Sequence, residues 1–269
     1  MPELPEVETV RRAMERHLLG RGIEAVRTSA KRLRQPLPRH RLANLVGDRF
    51  IDSRRRAKFL LLGLESERVL LIHLGMSGNL LFGPGQDTHD HVVWTLDKGP
   101  SLVYSDPRRF GMVLVLYPPE LEVNPFLAHL GPEPLGDIFD GTYLHACCKN
   151  SRRPIKNLIM DGRIVVGVGN IYASEALFRS GIRPNRAAGG ISRARLDRLA
   201  QTIKQVLDEA IQQGGTTISD YRGSGEGGLF QQRLLVYGRA EQPCTVCQRP
   251  VRSVVIAGRN TFYCSRCQT

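Results

Sequence analysis

KFLLLGL (58–64) and RVLLIHLGM (68–76), separated by Glu65-Ser66-Glu67, decide how the first half of the chain folds. Each apolar run is short and bounded by charged residues or glycine, which fits a strand better than a helix of about ten or more residues. Outward from them, HVVWTL (91–96), SLVYS (101–105) and GMVLVLY (111–117) repeat the texture between Gly, Pro and Asp turn positions. Short apolar segments at this spacing predict a β-sandwich or barrel between Ile23 and Leu116.

Both flanks read differently. In PEVETVRRAMERHL (5–18), Val7, Val10, Met14 and Leu18 recur at helical steps with charges opposite, and Gly20 and Gly22 end the helix. Residues 118–150 are proline-rich, a connector with short helices. Helical texture returns from about Pro154 to Gln213, broken by GVGN (167–170) and GIRPN (181–185). LDRLAQTIKQVLDEAIQQG (196–214) sets Leu196, Leu199, Ile203, Val206, Leu207 and Ile211 on one face. The expected class is α+β: an N-terminal helix plus β-sandwich domain (1–125), a connector (126–150), a helical domain (151–235) and a small cysteine module (236–269).

Lys and Arg number 38 against 26 Asp and Glu, a net charge of +12. That excess points to a polyanionic partner, DNA or RNA. No run of about 18 apolar residues is present, so no membrane span is expected. MPELPEVETVRR lacks the basic-then-apolar order of a secretory leader. Cysteines gathered near one end fit a reducing compartment better than a disulfide scaffold, and a cytoplasmic monomer is expected.

Cys244-x2-Cys247 and Cys264-x2-Cys267 have the spacing of a closed tetrahedral zinc site on a β-hairpin. With four thiolates on the metal no position stays open, so one structural Zn2+ is expected; two unrelated redox pairs are the alternative. Arg249, Arg252, Arg259 and Arg266 lie in this module, and guanidinium suits phosphate geometry. GSGEGG (223–228) satisfies a dinucleotide pattern but lacks the strand and helix around it, so it reads as a loop. His89 and His91, on one face of a strand, suggest a phosphate contact or a hydrogen-bonding role before a metal site.

Pro2 follows Met1, and loss of that methionine leaves a secondary amine able to form an iminium with a carbonyl-like carbon. At a helix N-terminus such an amine loses its proton more readily, with Glu3 and Glu6 nearby for proton transfer. A helix that merely begins with proline and acids would look the same. If Met1 is retained, the Pro2 nitrogen is an amide and no nucleophile.

PELPEVET (2–9), RRAKFLL (55–61), HLGMSG (73–78), SDPRRFG (105–111), MDGRIVVGVGNIYASE (160–175) and the cysteine knuckles occur in that order. Together they resemble formamidopyrimidine-DNA glycosylase over the whole chain. The resemblance implies a bacterial enzyme of base excision repair, acting on double-stranded DNA with oxidised purines or abasic sites. It implies a helix–two-turns–helix motif in the helical domain and a zinc-finger hairpin. Pro2 would form the Schiff base at C1′, Glu3 would assist base loss and ring opening, and Glu6 would support them. Lys58 would contact the phosphate and donate a proton in β-elimination.

Met76, Arg108 and Phe110 match residues that fill the gap left by a flipped base, as an apolar wedge, an arginine and an aromatic ring can. His89, Arg152 and Asn170 match DNA-backbone contacts, and Arg259 matches a DNA-binding arginine also assigned to δ-elimination. The stretch at about 216–228 corresponds to the segment that closes over the flipped base. Gly162, Asn260 and Ser265-Arg266 depart from the usual family residues without removing a catalytic group. Endonuclease VIII shares the amine chemistry but prefers oxidised pyrimidines; PELPEVE and the Met76/Arg108/Phe110 set favour the purine enzyme. A silent damage binder and a zinc-ribbon RNA reader are the other classes; the RNA reader leaves Pro2 and Lys58 unexplained.

Overall fold

The computed structural model describes residues 2–216 and 233–269. The chain divides into two units, and in described residues these are 2–128 with 213–216, and 129–212 with 233–269. The first begins with helix α1 (Leu4–His17) and continues through β1 (Ile23–Thr28), the short α2 (Arg39–Ala43), β2 (Phe50–Arg56), β3 (Phe59–Leu64) and β4 (Val69–His73). It then runs through β5 (Asn79–Gly83), β6 (Asp90–Leu96), β7 (Ser101–Ser105), β8 (Met112–Leu116) and α3 (Pro118–Glu122).

KFLLLGL is nearly continuous in apolar residues because both of its faces are covered. β3 lies inside the antiparallel sheet β2-β3-β4-β8. Leu60, Leu62 and Leu64 point into one core with Leu70 and Ile72, and with Trp94, Leu102 and Tyr104 of the second sheet, β1-β6-β7-β5. Leu61 faces the other way and packs with Leu71, Met112 and Leu116, covered by Phe126 and Leu127. The shared core makes the two sheets a sandwich, closed at one side by Val7, Val10 and Met14 of α1. Each such side chain, taken out of water, stabilises the fold by about 1.5–3 kcal/mol.

The second unit holds α4 (Gly141–Cys148), α5 (Ile155–Ile159), α6 (Asn170–Arg179), α7 (Arg193–Gln212) and the hairpin β9 (Arg252–Ile256) with β10 (Arg259–Tyr263). All six residues expected on one face of α7 are buried. From α5 to α6 the chain passes through two consecutive turns, closed by Asp161 N–H to Leu158 O (3.1 Å) and Ile164 N–H to Asp161 O (2.8 Å). Gly167, at φ +80°, supplies the left-handed backbone needed just before α6. GSGEGG and most of the stretch at about 216–228 lie outside the described residues.

Candidate active site

Pro2 is buried and directly precedes Glu3, the N-cap of α1, at the positive end of a 14-residue helix. Glu3 and Glu6 are each 2% exposed. The Glu6 carboxylate spans two segments: Oε2 accepts the Glu3 N–H (2.8 Å), and Oε1 accepts the Thr216 N–H (2.8 Å) and its hydroxyl (3.0 Å). Such bonds engage Glu6 in placing Glu3, and through it Pro2, against Thr216. Of the stretch expected to close over a flipped base, Thr216 is the described residue, and it meets α1 here.

Lys58 shares the two-residue β2–β3 turn with Ala57, which has φ +55°. The turn is tied to α1. Glu8 accepts from Arg55 Nε (3.2 Å) as well as from Arg11 and Arg12, and Arg55 Nη1 donates to Ala57 O (2.9 Å). An ammonium carried on this hairpin is thereby referenced to the helix that presents Pro2.

Met76 follows β4, and Arg108 and Phe110 occupy the β7–β8 turn. Arg108 stacks on the Phe110 ring, its guanidinium carbon 5.2 Å from the centroid, and Phe110 is 50% exposed. An apolar ring this exposed beside a cation is an arrangement that could enter stacked bases. The Met76 and Phe110 turns touch through backbone: a Cβ on Gly75 would lie 2.5 Å from Gly111 N and Phe110 C. His89 is exposed in the loop before β6, and its carbonyl accepts the Asp106 N–H (3.0 Å). His91, expected on the same face, is instead buried between Ser29 Oγ (3.0 Å) and Asp106 O (2.9 Å). It lies inside the sandwich as a hydrogen-bonded core residue.

His73 was not singled out in the sequence. Gly75 N–H donates to its Nδ1 (2.9 Å), which puts the hydrogen of the neutral ring on Nε2. Burial, then the Lys58 and Arg34 cations, push its pKa down to about 4, outweighing Asp106. At neutral pH the ring is therefore an uncharged Nε2–H donor among cations. HLGMSG held the residue in view, but only folding reveals these neighbours.

In the second unit Asn170 opens α6, where backbone N–H groups and the helix dipole suit a phosphate. Its side chain is pre-set: Lys156 Nζ donates to Oδ1 (2.6 Å), and Nδ2 donates to Asn260 O (2.9 Å). Lys156, 1% exposed, also donates to Thr261 Oγ1 (2.6 Å), and Thr261 Oγ1 donates to Arg259 O (3.1 Å). The α6 N-terminus and the β9–β10 hairpin are thus one hydrogen-bonded assembly, with Arg259 exposed at its tip after the Ala257-Gly258 turn. Arg152 is exposed just before α5. Lys156 escaped the sequence reading because it sits among Ile155, Leu158 and Ile159 with nothing to mark it as buried.

Sγ atoms of Cys244, Cys247, Cys264 and Cys267 all lie within 4.8 Å of one another. Cys247–Cys264 is 3.4 Å and Cys244–Cys267 is 3.9 Å. A tetrahedron with Zn–S near 2.3 Å has edges of about 3.8 Å, so this sulfur cage fits zinc. All four thiols belong to it, which leaves no open coordination position and makes the metal structural.

Comparison with known proteins agrees with this geometry. Residues 1–113 match the family described as formamidopyrimidine-DNA glycosylase N-terminal domain, residues 130–222 its H2TH domain, and residues 241–269 a zinc finger found in FPG and IleRS. The chain is 50% identical to a formamidopyrimidine-DNA glycosylase of Thioalkalivibrio sulfidiphilus and 50% to one of Syntrophotalea carbinolica, covering 100% of both chains in each case. Among solved structures, a MutM (Fpg) protein of Thermus thermophilus superposes with a TM-score of 0.90 at 40% identity, over 99% of this chain and 98% of that one. A Lactococcus lactis Fpg variant in complex with DNA containing Fapy-dG superposes with 0.93 at 29% identity over 100% of both chains.

Proposed function

We propose, from the premise that this chain belongs to the formamidopyrimidine-DNA glycosylase family, which residue performs each step of its reaction. The protein is a DNA glycosylase of base excision repair with the AP lyase activity of its family, and it carries one structural zinc. Its partner is duplex DNA bearing oxidised purines or abasic sites. We place it in the bacterial cytoplasm as a monomer; no described helix is long and apolar enough to cross a membrane.

Pro2 is the nucleophile. Its nitrogen lone pair bonds to C1′ as the C1′–N9 bond breaks, the electron pair and the Pro2 N–H proton passing to the base; Glu3 then protonates O4′ as the C1′–O4′ bond breaks and the nitrogen lone pair forms the iminium. Loss of a C2′ proton expels the 3′ phosphate, with Lys58 supplying a proton in this β-elimination. Loss of the C4′ proton then expels the 5′ phosphate, assisted by Arg259, and water releases the sugar remnant from Pro2. Met76, Arg108 and Phe110 fill the vacated stack, while His89, Arg152 and Asn170 hold phosphates. Cys244, Cys247, Cys264 and Cys267 hold the zinc, which shapes the Arg259 hairpin and supplies no chemistry to the sugar.

The observation that carries this reading is the seat of Pro2: buried at the positive end of α1, next to a Glu3 whose backbone Glu6 fixes. Borohydride reduction during turnover of an 8-oxoguanine·cytosine duplex, with mass spectrometry of the adduct, tests it. An adduct on Pro2, absent from protein that retains Met1, is the expected result. Lesion binding without any adduct, from processed and zinc-loaded protein, refutes it.

A further inference from the structure

Gap filling assigns one action to side chains on two separate turns, Met76 on one and Arg108 and Phe110 on the other. A buried hydrogen-bond chain joins those turns. Ser77, 4% exposed, donates its hydroxyl to Asp106 Oδ1 (2.7 Å) and accepts the Arg108 backbone N–H (3.1 Å). Asp106, with no exposed surface, accepts the Gly111 N–H on Oδ2 (2.8 Å), with the Tyr104 hydroxyl farther off at 3.5 Å. Its carbonyl accepts the Arg109 N–H (3.2 Å), and its N–H reaches His89 O (3.0 Å). Arg109 itself has φ +59°, a conformation a side chain disfavours and a neighbour must hold.

We propose that Ser77 and Asp106 are positioning residues, a latch that fixes the Met76 turn to the Arg108–Phe110 turn so that the three side chains enter DNA as one wedge. The inference rests on the gap-filling reading given above. Asp106 sits at the base of the turn it organises, and the Ser77 hydroxyl bridges to the other. A buried carboxylate that accepts from one turn's backbone and the other turn's hydroxyl resists relative sliding of the two, because any slip strands it without donors. Neither residue faces the sugar in this scheme. The latch therefore governs eviction of the base, not elimination.

Single-turnover excision from an 8-oxoguanine·cytosine duplex, cleavage of a preformed abasic duplex, and the fluorescence of 2-aminopurine beside the lesion separate those steps. Losing the Ser77 bonds in Ser77→Ala should slow excision and the fluorescence rise together by about tenfold. Abasic cleavage, where no base must be evicted, should stay within about threefold. Asp106→Asn combined with Ser77→Ala should be no slower than the slower single variant, because the pair acts as one unit. Equal loss on both substrates, additive effects in the double variant, or unimpaired excision by Ser77→Ala would each overturn the latch. Met76→Ala is the control: if it leaves the fluorescence rise unchanged, the gap-filling reading has failed and takes the latch with it.

Discussion

Replacing Glu6 with glutamine changes one atom, and the structure says what that atom costs. Glu6 accepts hydrogen bonds on both carboxylate oxygens, on Oε2 from Glu3 N–H and on Oε1 from the N–H and hydroxyl of Thr216. Glutamine keeps one oxygen. If that oxygen stays on Thr216, an NH2 group meets the Glu3 N–H, donor against donor; the reverse orientation sets the NH2 against the Thr216 N–H, while the Thr216 hydroxyl can turn to accept. The cheaper choice forfeits one bond to a charged group, about 1.5–3 kcal/mol. Removing an anion from the first turn of α1 adds about 0.3–1 kcal/mol. Glu6→Gln should therefore destabilise the first unit by roughly 2–4 kcal/mol, or roughly 5–10 °C in Tm. Trp94, the single tryptophan, is fully buried in that unit's core, so its fluorescence reports this transition. The denaturant midpoint should fall with an unchanged slope. A loss under about 0.5 kcal/mol, the size of an ordinary surface substitution, would refute the claim that Glu6 clamps the helix start.

Three further outcomes follow from the same geometry. His73 has a folded pKa of about 4, below its unfolded value, so the unfolded chain takes up the proton first on acidification. Its contribution is complete above pH ~6.5 and is lost as pH falls toward 4, about 3 kcal/mol in all; His73→Gln should flatten the stability profile in that window, and an unchanged profile counts against the assignment. Chelating the zinc should abolish duplex binding while leaving the Trp94 transition in place, since the cysteine cage and Trp94 belong to different units. Retained lesion affinity in metal-free protein would show that the hairpin does not need its metal. Arg259→Ala should stop the reaction after β-elimination, leaving an unsaturated aldehyde at the 3′ end on a denaturing gel; wild-type yields of 3′ phosphate would remove Arg259 from the last step.

The strands that were legible are those with two covered faces or a full share of core: β3, β4, β6, β7 and β8. The ones not picked out in the sandwich, β1, β2 and β5, are all sheet edges. FIDSRRR in β2 buries only Phe50 and Ser53 and carries three arginines, as suits an edge that must not pair further, so its apolar signal is thin. α1 and α7 were plain because an amphipathic helix writes its face at 3.6-residue steps. Cysteine spacing located the metal site for a similar reason, since the ligands are local in sequence. Pro2 stood out as a potential amine after Met1, but the resemblance was needed to prefer that reading over a plain helix start and to single out Lys58, because no local pattern marks a proton donor. What stayed hidden were charges and polar groups whose partners come from distant segments: Lys156 meets Thr261 across 105 positions, and Glu6 meets Thr216 across 210. Glu175, fully buried, accepts N–H groups from Leu235, Val236 and Tyr237, another pairing no periodicity announces.

The two turns that carry Lys58 and the Arg108–Phe110 pair share a device. Each places a residue with a side chain, Ala57 or Arg109, in the left-handed backbone region that glycine would adopt freely. The cost is about 1–2 kcal/mol at each position, and it persists only because neighbours hold the conformation. For Ala57 the holder is Arg55, on its carbonyl and anchored to Glu8; for Arg109 it is the Asp106 carbonyl. A glycine would cost less but would let the turn sample further conformations, and the adjacent functional side chain would swing with it. A residue with a Cβ narrows those alternatives once the native contacts form. In the proposed roles, these two strained positions sit beside an ammonium directed at a phosphate and a wedge directed at a gap. The sandwich behind the turns, buried on both faces of β3, supplies the rigidity that makes such strain tolerable.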